Sequence, residues 1–146
     1  MSIIHDIAFS LGELNRIRRT AKEEEERMTP ERKAIINNLI KQANSGSIRA
    51  MTTLGNLYWE GTQLRYDPKE TCRWWTKAAE AGDTRSMYNL GILYMGNKSK
   101  QIYDDKKAAY WLNQASLQGD ENAKRVLEEN YTYSSLFKKW KRINDD

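Results

Sequence analysis

Three short motifs recur at nearly constant spacing along the chain: Ser45-Gly46-Ser47, Ala81-Gly82-Asp83 and Gln118-Gly119-Asp120. Their glycines, at positions 46, 82 and 119, are 36 and then 37 residues apart. The neighbours keep step. Leu54, Leu90 and Leu127 correspond, as do Tyr58 and Tyr94, Asp67 and Asp104, Trp74 and Trp111, and Ala78-Ala79 with Ala115-Ser116. A period of this length restricts the chain to an array of one supersecondary unit, because a single unit cannot bury its apolar face alone.

Each unit reads as two antiparallel helices. Asp67-Pro68-Lys69-Glu70 is a helix start: the aspartate caps, proline occupies the first helical position, and glutamate follows three residues after the cap. The helix it opens runs to about Glu80, where Gly82 suits a left-handed terminator and Asp83 caps the next helix. The first helix of each unit carries apolar residues at 50, 54, 57 and 58, or at 90, 93 and 94 with the small Ser86, which is one helical face. The link at 61–66 is tight, and its equivalent at 96–103 is longer and more polar. Gly55 and Gly91 interrupt these first helices, although a mid-helix glycine costs about 1 kcal/mol relative to alanine. Close approach of neighbouring backbones explains them, with Ala78, Ala79 and Ala115 as the expected facing side chains. Glu128 stands at the matching third position, so the array ends there.

The ends flank this array. Residues 3–26 predict a long helix with Ile4, Ile7, Leu11 and Leu14 along one stripe, its glutamates at 23–26 in water. Thr29-Pro30-Glu31 starts a second helix, through about Ala43, as the remnant of a degenerate unit. Leu136, Phe137, Trp140 and Ile143 predict an amphipathic capping helix, since terminal units of a stack expose apolar faces. The whole reads as one domain, 1–146: N-terminal capping helices over 1–44, one repeat over 45–81, another over 82–118, and a half-repeat with a cap over 119–146.

The motifs resemble the Sel-1-like repeat family, a relative of the tetratricopeptide repeat. The family pattern is matched by Ala50, Leu54-Gly55, Leu57-Tyr58, Gly61, Asp67, Trp74, Ala78-Ala79 and Gly82, and again by Leu90-Gly91, Leu93-Tyr94, Gly96, Asp104, Ala109, Trp111, Ala115 and Gly119. Cys72 and Ser86 stand where alanine is usual. The resemblance covers residues 43 to about 131. It implies an all-α, right-handed α-solenoid of antiparallel helix pairs that binds other proteins, often in bacteria, and it implies no catalytic residue.

Composition excludes several function classes. The 24 basic and 20 acidic residues are interspersed, so no basic stripe marks a nucleic-acid track. The alternative function is a nucleic-acid or anionic-surface module using Lys138, Lys139, Lys141 and Arg142, which interleave with Phe137 and Trp140. A single cysteine excludes an internal disulfide. His5 and Asp6 interrupt the apolar start, which does not read as a signal peptide, and no run is long enough to span a membrane. The expected location is the cytoplasm. No enzyme is expected either: His5 is the sole histidine, Cys72 occupies a core alanine position, and no Cys/His cluster has metal-ligand spacing. Asp67 and Asp104 are accounted for as caps. No cofactor, metal or small-molecule substrate is therefore expected.

What remains is a surface. At about 100° per residue, the side of each first helix opposite its core holds 52, 56 and 59, then 88, 92 and 95, then 125, 129 and 132. The residues are Thr52, Asn56 and Trp59; Tyr88, Ile92 and Met95; Arg125, Glu129 and Thr132. By analogy with related solenoids this stripe lines a concave face, and its large apolar members stand where a solvated helix would prefer charge. The expected occupant is another protein, with the chain acting as an adaptor or as an immunity protein that neutralises a toxin. The rival occupants are the N-terminal helix and a second copy of the chain.

Overall fold

The computed structural model describes residue 23 and residues 27–96, 102–134 and 139–143. The N-terminal helix expected over 3–26, and with it His5, falls outside them apart from residue 23, as do Leu136, Phe137 and Lys138. The chain divides into two compact units, residues 1–38 and 39–146. In the first, Thr29 Oγ1 accepts the backbone N–H of Arg32 at the start of α1 (Pro30–Asn44).

The second unit carries the end of α1 and then α2 (Ile48–Glu60), α3 (Pro68–Glu80), α4 (Thr84–Tyr94), α5 (Asp105–Leu117) and α6 (Glu121–Asn130). Local chemistry sets these bounds. Asp67 Oδ1 accepts from the N–H groups of Lys69 and Glu70 at 2.9 and 3.1 Å. Asp83, Asp104 and Asp120 cap α4, α5 and α6 in the same way. Each capping carboxylate satisfies amides that lack an intrahelical partner, worth about 1 kcal/mol apiece. Gly82 has φ +98, a backbone that only glycine adopts without strain. The two intra-repeat links differ in length yet close on one bond, Asp67 N–H to Tyr58 O at 3.0 Å and Asp104 N–H to Tyr94 O at 2.9 Å.

Helix pairs stack in chain order: α2 packs on α3, α3 on α4, α4 on α5, and α5 on α6. The adjacent Trp74 and Trp75 of α3 serve two cores. Trp74 joins Ala43, Ala50, Leu54 and Ala78, whereas Trp75 joins Leu90, Leu93, Leu112 and Leu127. Leu54, Leu90 and Leu112 are fully buried, each stabilising by about 2 kcal/mol through apolar burial. The glycine expectation needs amending. Gly55 faces the indole of Trp75, and Gly91 faces Leu112, not alanines. The missing Cβ admits a large side chain instead of pairing two small ones.

A larger correction concerns the C-terminal residues. In place of the expected capping helix, Tyr131–Ser134 (β1) and Lys139–Arg142 (β2) form an antiparallel hairpin, with Tyr131 opposite Arg142 and Tyr133 opposite Trp140. Helix α6 stops because Tyr131-Thr132-Tyr133 favours extended backbone, and Tyr131 has φ −134 and ψ 143. The Tyr133 and Trp140 rings meet across the strands, tilted by 58° with centroids 5.2 Å apart, and Ile143 N–H donates to Asn130 O. Along β2 exposed lysines alternate with half-buried Trp140 and Arg142, a period of two that four apolar positions had suggested was helical.

Candidate functional site

The first helices of the repeats build an aromatic groove. Trp59 of α2, Trp75 of α3, and Tyr88, Asn89, Ile92 and Leu93 of α4 line a cavity of about 190 Å³. Trp75 Nε1–H donates to Asn56 Oδ1 at 3.1 Å, which fixes the indole against Gly55. The Trp59 ring lies 6.0 Å from that of Trp75 and 5.7 Å from that of Tyr66. Aromatic pairs at such distances are held in one arrangement, so the cavity wall is largely pre-formed. It can take one bulky apolar side chain; it holds no nucleophile, base or metal-binding set.

Of the sequence-predicted stripe, Trp59, Tyr88 and Ile92 line this cavity and Asn56 braces it. Thr52 lies one turn away, its hydroxyl donating to Arg49 O. Met95 does not belong to the open surface. It is only 6% exposed: it caps α4 with helical backbone, φ −66 and ψ −12, and lies in the core cluster with Leu93 and Tyr94, so its burial is set by packing and not by the phase of α4. Arg125 and Glu129 are exposed on α6, outside the cavity lining, and Arg125 Nη2 reaches Asn122 Oδ1 at 3.5 Å. Thr132 sits on β1, where a helical projection no longer applies. Trp75, Asn89 and Leu93 were absent from the stripe. Two consecutive tryptophans on one helix cannot share a face, and that was the available signal for Trp75.

Two other clusters were invisible in the sequence. Asp105, at the start of α5, gathers the C-terminal hairpin: Tyr131 O–H donates to Asp105 Oδ1 at 2.9 Å, Arg142 Nη1–H donates to the same oxygen at 3.2 Å, and Tyr103 O–H donates to Oδ2. Arg142 is thereby engaged within the protein, which weakens the basic set proposed for nucleic acid. Cys72 is half-buried, not fully enclosed as a core alanine would be. With Tyr94, Lys69 and Lys107 it lines an open cavity of about 320 Å³. Burial pushes its thiol up, against smaller opposing effects of Tyr94 and Lys107, so it is a poor nucleophile at neutral pH. Among the described residues no three His, Cys, Asp or Glu side chains converge to hold a metal, and no helix is long and apolar enough to cross a membrane.

The Sel1 repeat profile matches residues 48–83 and 84–120. An F-box protein of Arabidopsis thaliana is 32% identical over 84 residues, which is 58% of this chain and 22% of that protein. Among solved structures, a protective antigen of uropathogenic Escherichia coli with an SLR fold is 33% identical at a TM-score of 0.55, covering 63% of this chain and 20% of the antigen. A Sel1 repeat protein from Oxalobacter formigenes is 29% identical at 0.53, covering 63% and 68%. Cysteine-rich protein B of Helicobacter pylori, 21% identical at 0.57 and covering 65% and 71%, shares the fold. The chain thus spans about a fifth of the F-box protein and of the antigen. Sel1 repeat proteins are generally non-enzymatic scaffolds for protein–protein interaction. With tandem repeats filling residues 48–120 and stacked helix pairs at those residues, the chain belongs to the Sel1 repeat family.

Proposed function

We propose that the chain is a non-enzymatic scaffold that holds a segment of another protein against α2 and α4, with Trp59, Tyr88 and Ile92 as the apolar anchors. The observation that carries this reading is the open aromatic cavity of about 190 Å³, braced by the Trp75–Asn56 hydrogen bond. Half-buried aromatic and aliphatic side chains around a surface cavity are the usual anchors of a protein interface. Arg125 and Glu129 form the polar rim on α6. An adaptor, or a cytoplasmic immunity protein that neutralises a toxin, is the role such a scaffold would have in a bacterial cell; that refinement rests on family analogy.

The test is affinity capture by the full chain in its native cell, paired with Ile92→Asp. A protein retained by the wild type and lost by the variant supports the reading. Retention by both would overturn it.

A further inference from the structure

The second cavity shares no lining residue with the groove, and its wall is of a different kind. Lys69 and Cys72 of α3, Tyr94 at the end of α4, Ile102 in the following link, and Asp104 and Lys107 at the start of α5 surround about 320 Å³. The charges in this wall do not cancel. Asp104 is the one carboxylate among the described lining residues, and Lys107 already engages it. Asp104 Oδ1 accepts the Lys107 backbone N–H at 3.1 Å, and Oδ2 lies 3.9 Å from Lys107 Nζ. Lys107 Nζ also stands over the Tyr94 ring, 5.3 Å from its centroid. The Lys69 ammonium has no carboxylate partner among the described residues. The described wall therefore carries one uncompensated positive charge. The rest of it is apolar or neutral: Ile102, the Tyr94 ring, and the Cys72 thiol, which burial keeps protonated at neutral pH. Tyr103 also lines the cavity, but its hydroxyl donates to Asp105 Oδ2.

We infer that this cavity binds a small organic carboxylate, its acid group on Lys69 and Lys107 and its apolar body against Ile102, Tyr94 and Cys72. One negative charge balances the wall; a dianion would overshoot it beside Asp104. Ammonium groups meet a carboxylate through short charge-assisted hydrogen bonds. Small-molecule sites combine an apolar wall with a few convergent polar groups, and about 320 Å³ lies at the lower end of their size range. An apolar cavity of about 150 Å³ accommodates benzene, so this one has room for a single ring with a short acid chain. A nucleic-acid backbone is a poorer match, because two ammoniums beside Asp104 make no continuous cationic track.

Cys72 in the wall supplies the reporter. The full chain is titrated with phenylacetate while the rate of Cys72 alkylation by iodoacetamide is followed. Phenylacetamide serves as the neutral counterpart and inorganic phosphate as the bare anion. Phenylacetate at millimolar concentration should slow the alkylation saturably, and the amide should be about tenfold or more weaker. Lys69→Glu should lose about tenfold or more of the phenylacetate affinity, and Lys107→Gln should weaken it as well. Lys69 is exposed in the first turn of α3, where a glutamate is favoured, so Lys69→Glu should keep the wild-type melting temperature. Equal protection by phenylacetamide would leave an apolar cavity without an anion site. Equal protection by phosphate would leave a pair of cations without an apolar contact. No protection by phenylacetate, or protection undiminished in Lys69→Glu, would mean that there is no such site. Each of these three results would overturn the proposal.

Discussion

Gly55 lies so close to the indole of Trp75 that a Cβ placed on it would come within 2.5 Å of Trp75 Nε1. The indole cannot retreat without breaking its bond to Asn56 Oδ1. Gly55→Ala sets about 1 kcal/mol of improved helix propensity against about 1–3 kcal/mol of overpacking. Net destabilisation is expected, and likewise at Gly91, where the Cβ would meet Leu112 Cγ at 2.5 Å. Urea midpoints check it. Two unchanged or stabilised variants would mean the close contacts do not explain these glycines.

The Asp105 cluster should hold the hairpin to α5. Asp105→Ala leaves the Tyr131 hydroxyl and the Arg142 guanidinium without their shared acceptor, and Tyr131 is only 3% exposed. Hydrogen bonds to a charged group contribute about 1.5–3 kcal/mol, so a loss of about 2 kcal/mol is expected. Hydrogen exchange should show the β1 and β2 amides opening before those of α4 and α5. Uniform loss of protection would indicate that the hairpin is not a separable element.

Alkaline pH should unfold the protein through its buried phenols. Burial is the leading cause that raises Tyr58, Tyr94 and Tyr131, helped at Tyr131 by the Asp105 carboxylate and at Tyr94 by Cys72. In the unfolded chain these groups ionise near pH 10, at about their usual value. Below that pH both states hold the protons and the native phenol environments contribute their full stability. Above it the unfolded state holds fewer, so stability falls as pH rises toward the folded values. Denaturant midpoints measured from about pH 8 to about pH 11 should drop, and Tyr131→Phe should shrink the drop.

Met95 and Ile92 are three residues apart yet should respond differently to charge. Met95→Asp puts a carboxylate into the core beside Leu93 and Tyr94, with an expected loss of about 3 kcal/mol or more. Ile92→Asp, half-exposed at the cavity, should cost about 1 kcal/mol and act mainly on binding. Melting temperatures of the two variants decide. An equal fall for both would make the groove part of the core.

Cys72 should behave as a neutral thiol. Burial raises it above its ordinary value, so alkylation by iodoacetamide near neutral pH should be slower than for the urea-unfolded chain. Cys72→Ala should leave partner binding intact. Rapid labelling of the folded protein would revive the cysteine as a reactive group.

Features decided within a few residues were legible in the sequence. The aspartate caps, Pro68 at the start of α3 and Gly82 past its end all act through bonds at fixed short offsets, and the period of 36 to 37 repeats them. That Trp59, Tyr88 and Ile92 lie on one side of the first helices, where they line one cavity, followed from helical phase alone. Phase failed at Met95, where core packing and not helical phase decides burial, at Thr132, where the helix had ended, and where four apolar residues suited either period, in the C-terminal hairpin. The rest only tertiary structure decided. Trp75 meets Asn56 across 19 residues, Tyr131 meets Asp105 across 26 and Arg142 meets it across 37. The first partner is chosen by how the two helices of one unit seat against each other, as the large side chains opposite Gly55 and Gly91 show, and the other two by how the C-terminal hairpin packs on α5.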